Sequence, residues 1–553
     1  MRTSLRCLGP ALRPYARPTA RAAHLRFYST EQAQLVPRVR TSSGGDRAKW
    51  QHEEQYPRIK KQDTVLDYHT FKERYKDLRP GEFKPDDEVV VRGRIWSFRV
   101  AGSKLAFLDL FQNNRSLQLN SHRLQCVLDF THIAHSIIKA ADFKDFLNQL
   151  HRGDIYSVKG IPHRTPRNDL SVLATDIPQL LSPCTQSLPA FLLDKETKIR
   201  NRHVDLLLNP QLADIVQLRS EITKFLRQWL LDEGHTEVQT PILADAAGGA
   251  VARPFHTSAT EFQDRQIALR IAPELWLKRL IVGGFERVFE IGPSFRNEGI
   301  DLSHNPEFTT CEFYRSYADI EELINTTERM FLGLSRVVTS VVHSDCRALI
   351  PPKIDFSPPL PRLDFIPAIE AATGKQLPEL TWPDAQAQLL LLFNECDIPL
   401  PSLPTLPRLL DRLSAKYLEP QCFGPTWIIN HPECLSPLSK SFMHPDNQQR
   451  VSARAELFVR NTELVNCYEE ENSPIEQRRK LENQLQYHEE DPKAGIDEDY
   501  LQALEWGLPP TGGWGCGIDR LCMLFSGTNR IADVLSFGTL RNVVALGRVS
   551  KRP

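Results

Sequence analysis

The sequence predicts an α+β chain in which a small β-barrel precedes a larger sheet-and-helix domain. Three observations predict it. Residues 86–180 read as short apolar strands parted by turn residues. Residues 212–233 carry a helical apolar stripe. Residues 311–316 and 466–470 alternate their chemistry with period two. The length of 553 residues leaves room for three or four units of about 150 residues each.

The first strands are Val89-Val90-Val91, Arg94-Ile95-Trp96, Ala106 to Leu110 and Leu117-Gln118-Leu119. Gly102-Ser103 and Asn113-Asn114 mark turns between them. A helix-like insert at about 134–150 precedes another strand, Asp154 to Gly160. Five short strands with one helix suggest an OB-fold barrel over 86–181. Such barrels bind single-stranded nucleic acid by stacking bases on exposed aromatic rings. Phe107 is a candidate for that role, with burial in the barrel as the equal alternative. Residues 182–205, with Pro183 and Pro189, read as a linker, and 206–553 as the second domain. There, Ile215, Leu218, Ile222, Phe225 and Trp229 form one stripe of a helix, and Gly234 is its stop. Thr236 to Leu243, with Pro241, reads as a strand. The proline- and leucine-rich stretch 345–435 reads as a helical insertion.

Composition narrows the setting. Basic and acidic side chains nearly balance, 68 against 69, and no run of about 18 apolar residues suggests a membrane helix. The first 30 residues hold six arginines and no acid, with Ser, Thr and Ala between them and no apolar core. That is the pattern of a mitochondrial presequence, over 1–29, with Arg26-Phe27-Tyr28-Ser29 as a candidate cleavage site. A basic tail that binds nucleic acid is the alternative. Without residues 1–29 the net charge moves from −1 to −7, so any nucleic-acid site must be a local patch. Residues 30–85 form an N-terminal extension, and 58–79 is helix-prone, with seven Lys/Arg and four acids. Either a solvated face or one turned to RNA fits that pattern. The eleven cysteines include no CxxC pair and no zinc-site spacing, which favours reduced, buried thiols.

Residues 290–317, EIGPSFRNEGIDLSHNPEFTTCEFYRSY, carry the densest chemistry. Arg296 and Glu298 precede a polar loop with His304, Asn305 and Glu307. In the strand that follows, Glu312, Tyr314 and Ser316 share one face, and Cys311, Phe313 and Arg315 the other. A carboxylate and a phenol side by side, with an arginine at their mouth, can hold a zwitterion beside a phosphate. The bland alternative for an isolated Arg–Glu pair is a solvated ion pair. In AELFVRNTELVNCYEEEN, 455–472, Asn466, Tyr468 and Glu470 alternate along one face, while strict alternation sets Glu463 on the opposite one. In GGWGCGIDRLCM, 512–523, close glycines precede Asp519 and Arg520.

These three segments resemble class II aminoacyl-tRNA synthetases, in the form carried by lysyl-tRNA synthetases, over roughly residues 58–550. The resemblance implies a catalytic domain built on an antiparallel sheet flanked by helices, and a homodimer joined through the 212–243 segment. It implies ATP binding by Arg296, Glu298, His304, Asn305, Phe308, Glu456, Glu463, Gly517 and Arg520, with Arg296, Glu298 and Arg520 catalytic. Phe308 and Arg520 would pack on the two faces of the adenine. Glu456 and Glu463 would bind magnesium, which requires a bulge before Asn466. Lysine would meet Gly249, Glu274, Glu312, Tyr314, Asn466, Tyr468 and Glu470. Arg99, Phe107 and Gln118 would contact the anticodon. The implied partners are tRNA(Lys), ATP and L-lysine, and the implied activity is lysine–tRNA ligation for mitochondrial translation in the matrix.

The chain departs from the family in details. Arg99 is one position off, one extra residue lies between Gly249 and Glu274, and Cys467 and Tyr468 replace a frequent glycine and phenylalanine. Alternatives within reach are the aspartyl and asparaginyl enzymes, a non-catalytic tRNA-binding paralogue and a protein-lysylating relative. Lysine carries two ammonium groups, which matches Glu274, Glu312 and Glu470; aspartate would be repelled.

Overall fold

The computed structural model describes residues 56–59, 64–112, 123–133, 139–245, 248–249, 252–487 and 496–546. The expected presequence, the cleavage site and the strand with Gln118 lie outside the described residues. Two units are distinguished, dividing after Ser187, with 112–122 assigned to the second.

In the first unit, helix α1 (Tyr68–Tyr75) is capped by Asp67, whose side chain accepts from Thr70 N at 2.9 Å. It is shorter than the helix-prone stretch 58–79. Only Phe71 and Tyr75 of α1 are buried. Strand β1 (Val89–Ala101) fuses the two strands expected at 89–91 and 94–96. Its outer half pairs with β2 (Leu105–Phe111) and its inner half with β4 (Ile155–Arg164). A register shift at Trp96 lets one strand serve both neighbours. With β3 (Arg123–Asp129) and β5 (Leu170–Ala174) the ring closes, and β6 (Gln179–Ser182) adds to β4. The helix α2 (Ala140–Gln149) buries Phe143 and Leu147 against the barrel's core.

The second unit centres on an eight-stranded sheet. Its members are β7 (Thr236–Glu237), β8 (Arg287–Phe295), β9 (Glu307–Ser316), β10 (Arg362–Asp364), β11 (Thr426–Ile429), β12 (Arg454–Val459), β13 (Thr462–Glu469) and β14 (Thr511–Gly517). The order is β10-β11-β12-β13-β14-β9-β8-β7. Every pairing is antiparallel except β10 with β11 and β8 with β7. On the back of the sheet lie α3 (Pro210–Asp232) and a long helix Ile320–Ser344. Leu218, Ile222, Leu226 and Leu230 of α3 pack with Phe313, Cys311 and Trp514. Gly333 brings the two back helices close, because a Cβ there would lie 3.1 Å from the Phe225 ring.

Two local expectations differ. The strand expected over Thr236–Leu243 is broken into Thr236–Glu237 and Leu243–Ala244. Between them Pro241 lacks a donor, and Thr240 turns to buried Glu290, which accepts from its N at 3.1 Å and its Oγ1 at 2.6 Å. The stretch 345–435 is not wholly helical. Three helices, Phe365–Thr373, Ala385–Glu395 and Leu406–Tyr417, surround their own apolar core, but β10 and β11 within it join the main sheet.

Candidate active site

A cleft of about 1360 Å³ opens over the front of this sheet. The alternation of β9 explains its floor. Cys311 and Phe313 face the back core, while Glu312 and Tyr314 face the cleft. On β13, Val465 and Cys467 face the core, while Asn466 and Tyr468 face the cleft. Between β12 and β13 the register runs Glu456 with Asn466, Leu457 with Val465, and then Phe458 with Glu463. Leu464 is the extra residue. The bulge carries Glu463 to the face that Glu456 and Asn466 share.

One end of the cleft is acidic and buried. Glu274, at the start of α4 (Glu274–Val282), is 5% exposed; Glu312 is 9% and Glu470 1% exposed. Glu274 Oε1 accepts from Tyr468 OH and from Lys278 Nζ, each at 2.6 Å. Lys278 also contacts Glu470 Oε2. Among the described residues Glu470 Oε1 has no hydrogen-bond donor. It sits over Gly513, where a Cβ would lie 1.9 Å from it and 2.7 Å from Tyr314 Cε1. Gly249, at φ +97, lies against Glu274, and a Cβ there would be 3.3 Å from the Glu274 Cβ. Burial, then the negative charge of Glu274, pushes the Glu312 carboxyl up to about 8. Burial and the neighbouring carboxylates push the Tyr314 and Tyr468 phenols well above their ordinary range, so both are neutral hydroxyls.

The middle of the cleft presents donors. Arg454 donates from Nε to Asn466 Oδ1 at 3.0 Å and also reaches the Leu435 carbonyl at 2.8 Å. With its oxygen engaged, Asn466 offers its amide NH₂ to the cleft, which suits a carboxylate. Arg454 also pairs with Glu456, whose other oxygen meets His431 Nε2 at 3.1 Å. Burial works against the Glu456 charge, but Arg454 and His431 outweigh it and hold its carboxyl at about 2. Among the described residues no three His, Cys, Asp or Glu side chains form a metal centre by themselves. Two carboxylates on one face nonetheless suit a hard divalent cation that shares phosphate oxygens.

The far end is shaped for a flat base and phosphates. The Arg296 guanidinium lies 5.1 Å from the Phe308 ring centre, and its Nε reaches the Ile271 carbonyl at 3.4 Å. Arg520 donates to the Glu463 carbonyl at 3.0 Å, to Glu463 Oε2 at 3.1 Å and to His304 Nε2 at 3.1 Å. His304 Nδ1 then donates to Asp301 Oδ2 at 2.8 Å, which fixes its tautomer. Arg520 is aimed by its neighbour. Buried Asp519 pairs with Arg219 of α3 and accepts from Thr309 N at 2.9 Å. Gly517 precedes the helix Ile518–Ser526, and a Cβ there would meet only Arg520 at ordinary contact distance. Glu298 is exposed on the loop. Asn305 uses its amide on the chain itself, donating to the Glu307 carbonyl at 2.6 Å and accepting from Leu540 N at 2.9 Å, so it staples the loop.

The cleft is lined by the cleft residues expected from the sequence except Glu470, which is buried against its wall beside Gly513 and Lys278. Gly513 and Arg454 join the lining, and buried Lys278 and His431 stand behind it. Glu274 and Lys278 stand at i and i+4, a spacing that usually marks a solvated helix pair. In the barrel unit, exposed Arg99 lies opposite half-buried Phe107 in the β1–β2 register, its guanidinium 4.6 Å from the ring centre.

Residues 194–541 match the family model described as class II tRNA synthetases (D, K and N). The chain is 38% identical to lysine–tRNA ligase cla4 of Cladosporium cladosporioides, over 89% of this chain and 82% of that protein. It is 38% identical to the mitochondrial lysine–tRNA ligase of Schizosaccharomyces pombe, over 82% and 84% of the two chains. Against a probable cytoplasmic lysine–tRNA ligase of Encephalitozoon cuniculi it is 37% identical, over 86% and 92%. A family model covering more than half of the chain and relatives matched along most of their length lead to one conclusion: this chain belongs to the class II tRNA synthetases of the aspartate, lysine and asparagine group.

Proposed function

We propose that the chain is a lysine–tRNA ligase that activates L-lysine with ATP and transfers it to tRNA(Lys) in the mitochondrial matrix. The observation that carries the substrate is the meeting of Glu274, Glu312 and Glu470 in one buried wall, with Glu470 Oε1 lacking a donor. Glu274 and the Gly249 main chain take the α-ammonium. Glu470, Glu312 and the Tyr314 hydroxyl take the ε-ammonium. Asn466 takes the carboxylate and Tyr468 holds Glu274 in place. A substrate without the second ammonium leaves buried carboxylates unpaired, which penalises it by orders of magnitude.

In the first step a lysine carboxylate oxygen bonds to the α-phosphorus of ATP as the bond to pyrophosphate breaks. The carboxylate is already ionised, so no base is needed. Arg296 stabilises the charge that gathers on the α-phosphate. Phe308 and Arg520 clamp the adenine, with Glu298 and His304 closing the loop over the nucleotide and Gly517 letting the main chain approach. Arg520 exchanges its contacts with Glu463 and His304 for the base. Glu456 and Glu463 would hold a Mg²⁺ ion, which would supply neutralisation of phosphate charge. In the second step the 3′-terminal ribose hydroxyl attacks the adenylate carbonyl, and AMP leaves.

Amino-acid-dependent ATP–pyrophosphate exchange across all twenty amino acids tests this function. Lysine alone should support exchange; activation of aspartate or asparagine instead would overturn it. The arginine-rich, acid-free residues 1–29 support the matrix location. A fluorescent fusion of the full chain should enter mitochondria, and one lacking residues 1–29 should stay outside. Arg99, Phe107 and Gln118 are proposed to contact the anticodon, and the α3–β7 segment to join two copies. Sedimentation at micromolar concentration should give a dimer mass.

A further inference from the structure

We propose that Lys278 is a resident third cation of the amino-acid pocket, which sets its charge so that two substrate ammonium groups complete it. The proposal rests on the assignment of the acidic wall to lysine. Lys278 projects from α4 with 0% exposure, an ammonium sealed in the protein. It donates to Glu274 Oε1 at 2.6 Å and contacts Glu470 Oε2. The rings of Tyr468 and Tyr500 flank it, their centres 5.8 and 5.7 Å from Nζ. Such a cation is costly to bury and persists because the two carboxylates and the ring faces replace its water.

The charges then count in whole numbers. With lysine bound and the proton of Glu312 released, Glu274, Glu312 and Glu470 supply three carboxylates, the nearby phenols of Tyr314, Tyr468 and Tyr500 are neutral, and Lys278 supplies one ammonium. Two negative charges are left, the number of ammonium groups on lysine. Arg270 is committed to Glu290 at 2.7 Å and Arg454 to Glu456, while Arg296, whose charge also favours ionised Glu312, is matched by the ATP phosphates it is assigned to, so none of them cancels the two charges. Without Lys278 the lysine-bound wall would set three carboxylates against two ammonium groups. Glu470, whose Oε1 already lacks a donor, would take up a proton and stop accepting from the ε-ammonium. Burial pushes the Glu470 carboxyl well above its ordinary range and Lys278 opposes it most strongly, so Lys278 acts through Glu470 as a positioning residue, favouring its ionised form and turning it over Gly513.

The test is a double-mutant cycle of Lys278→Met and Glu470→Gln on the full chain, read by ATP–pyrophosphate exchange and thermal melting. The wild type comes first: failure to activate lysine there would remove the lysine assignment itself, before Lys278 is in question. Lys278→Met should raise the lysine KM at least about 100-fold at pH 7, the scale of an uncompensated buried carboxylate. The loss should shrink as pH rises to 8.5, and the ATP KM should stay within about twofold, because the nucleotide end is untouched. In the Glu470→Gln background, Lys278→Met should change the lysine KM by less than about threefold. If Lys278→Met alone does not fold, the double variant, which replaces the ion pair with a neutral pair, decides against Glu470→Gln. Losses that multiply, an unchanged lysine KM and pH profile with only a lower melting temperature, or unfolding of both variants would each overturn the proposal.

Discussion

Glu312 makes lysine binding depend on pH in a direction that can be worked out. In the empty pocket burial and Glu274 push its carboxyl up to about 8, so at pH 7 it is mostly protonated. The incoming ammonium favours the ionised form, so binding must release that proton. About one molecule in eleven carries ionised Glu312 at pH 7 and about half at pH 8. Lysine affinity should therefore rise about fivefold from pH 7 to pH 8, and about fiftyfold from pH 6. The assay is the lysine KM in pyrophosphate exchange at saturating ATP, from pH 6 to 8. The ATP KM measured alongside isolates the amino-acid end from the nucleotide end. Glu312→Gln should bind lysine more weakly with a nearly flat pH dependence. A flat wild-type profile, or a slope that survives in Glu312→Gln, would refute the reasoning.

Other consequences are as direct. Gly513→Ala puts a methyl 1.9 Å from Glu470 Oε1 and 2.7 Å from the Tyr314 ring, so the lysine KM should rise about tenfold or more with the ATP KM unchanged. An unchanged lysine KM in that variant would place the substrate elsewhere. Arg296→Ala should reduce the exchange rate about 100-fold or more, as loss of a preorganised charge on the reacting phosphate does; near wild-type exchange would remove its role. Phe107→Ala should leave exchange intact while raising the tRNA KM in aminoacylation about tenfold, the scale of one lost base stack. If that KM stays at the wild-type value, Phe107 belongs to the small apolar cluster with Val127, Ile161 and Leu173 alone.

Much of the cleft was legible because strands report their faces. The alternation Cys311, Glu312, Phe313, Tyr314 separates core from cleft by itself. The resemblance required a bulge or bend between Glu463 and Asn466, and Leu464 supplies a bulge. What stayed hidden was set by neighbours distant in sequence. Lys278 reads as half of an ordinary i, i+4 pair until Glu470, nearly two hundred residues on, is seen against it. Gly513 reads as one glycine among four, and only the Glu470 carboxylate shows why it must be small. The edge strands β10 and β11 are three and four residues long, too short for period two to stand out in a proline-rich stretch.

The most direct test is a crystal structure of the protein with L-lysine bound. The ε-nitrogen should lie within hydrogen-bonding distance of Glu470 and Tyr314, with the α-ammonium on Glu274 and Lys278 still between its two carboxylates. Lysine bound in the reverse sense, or away from all three glutamates, would contradict the account.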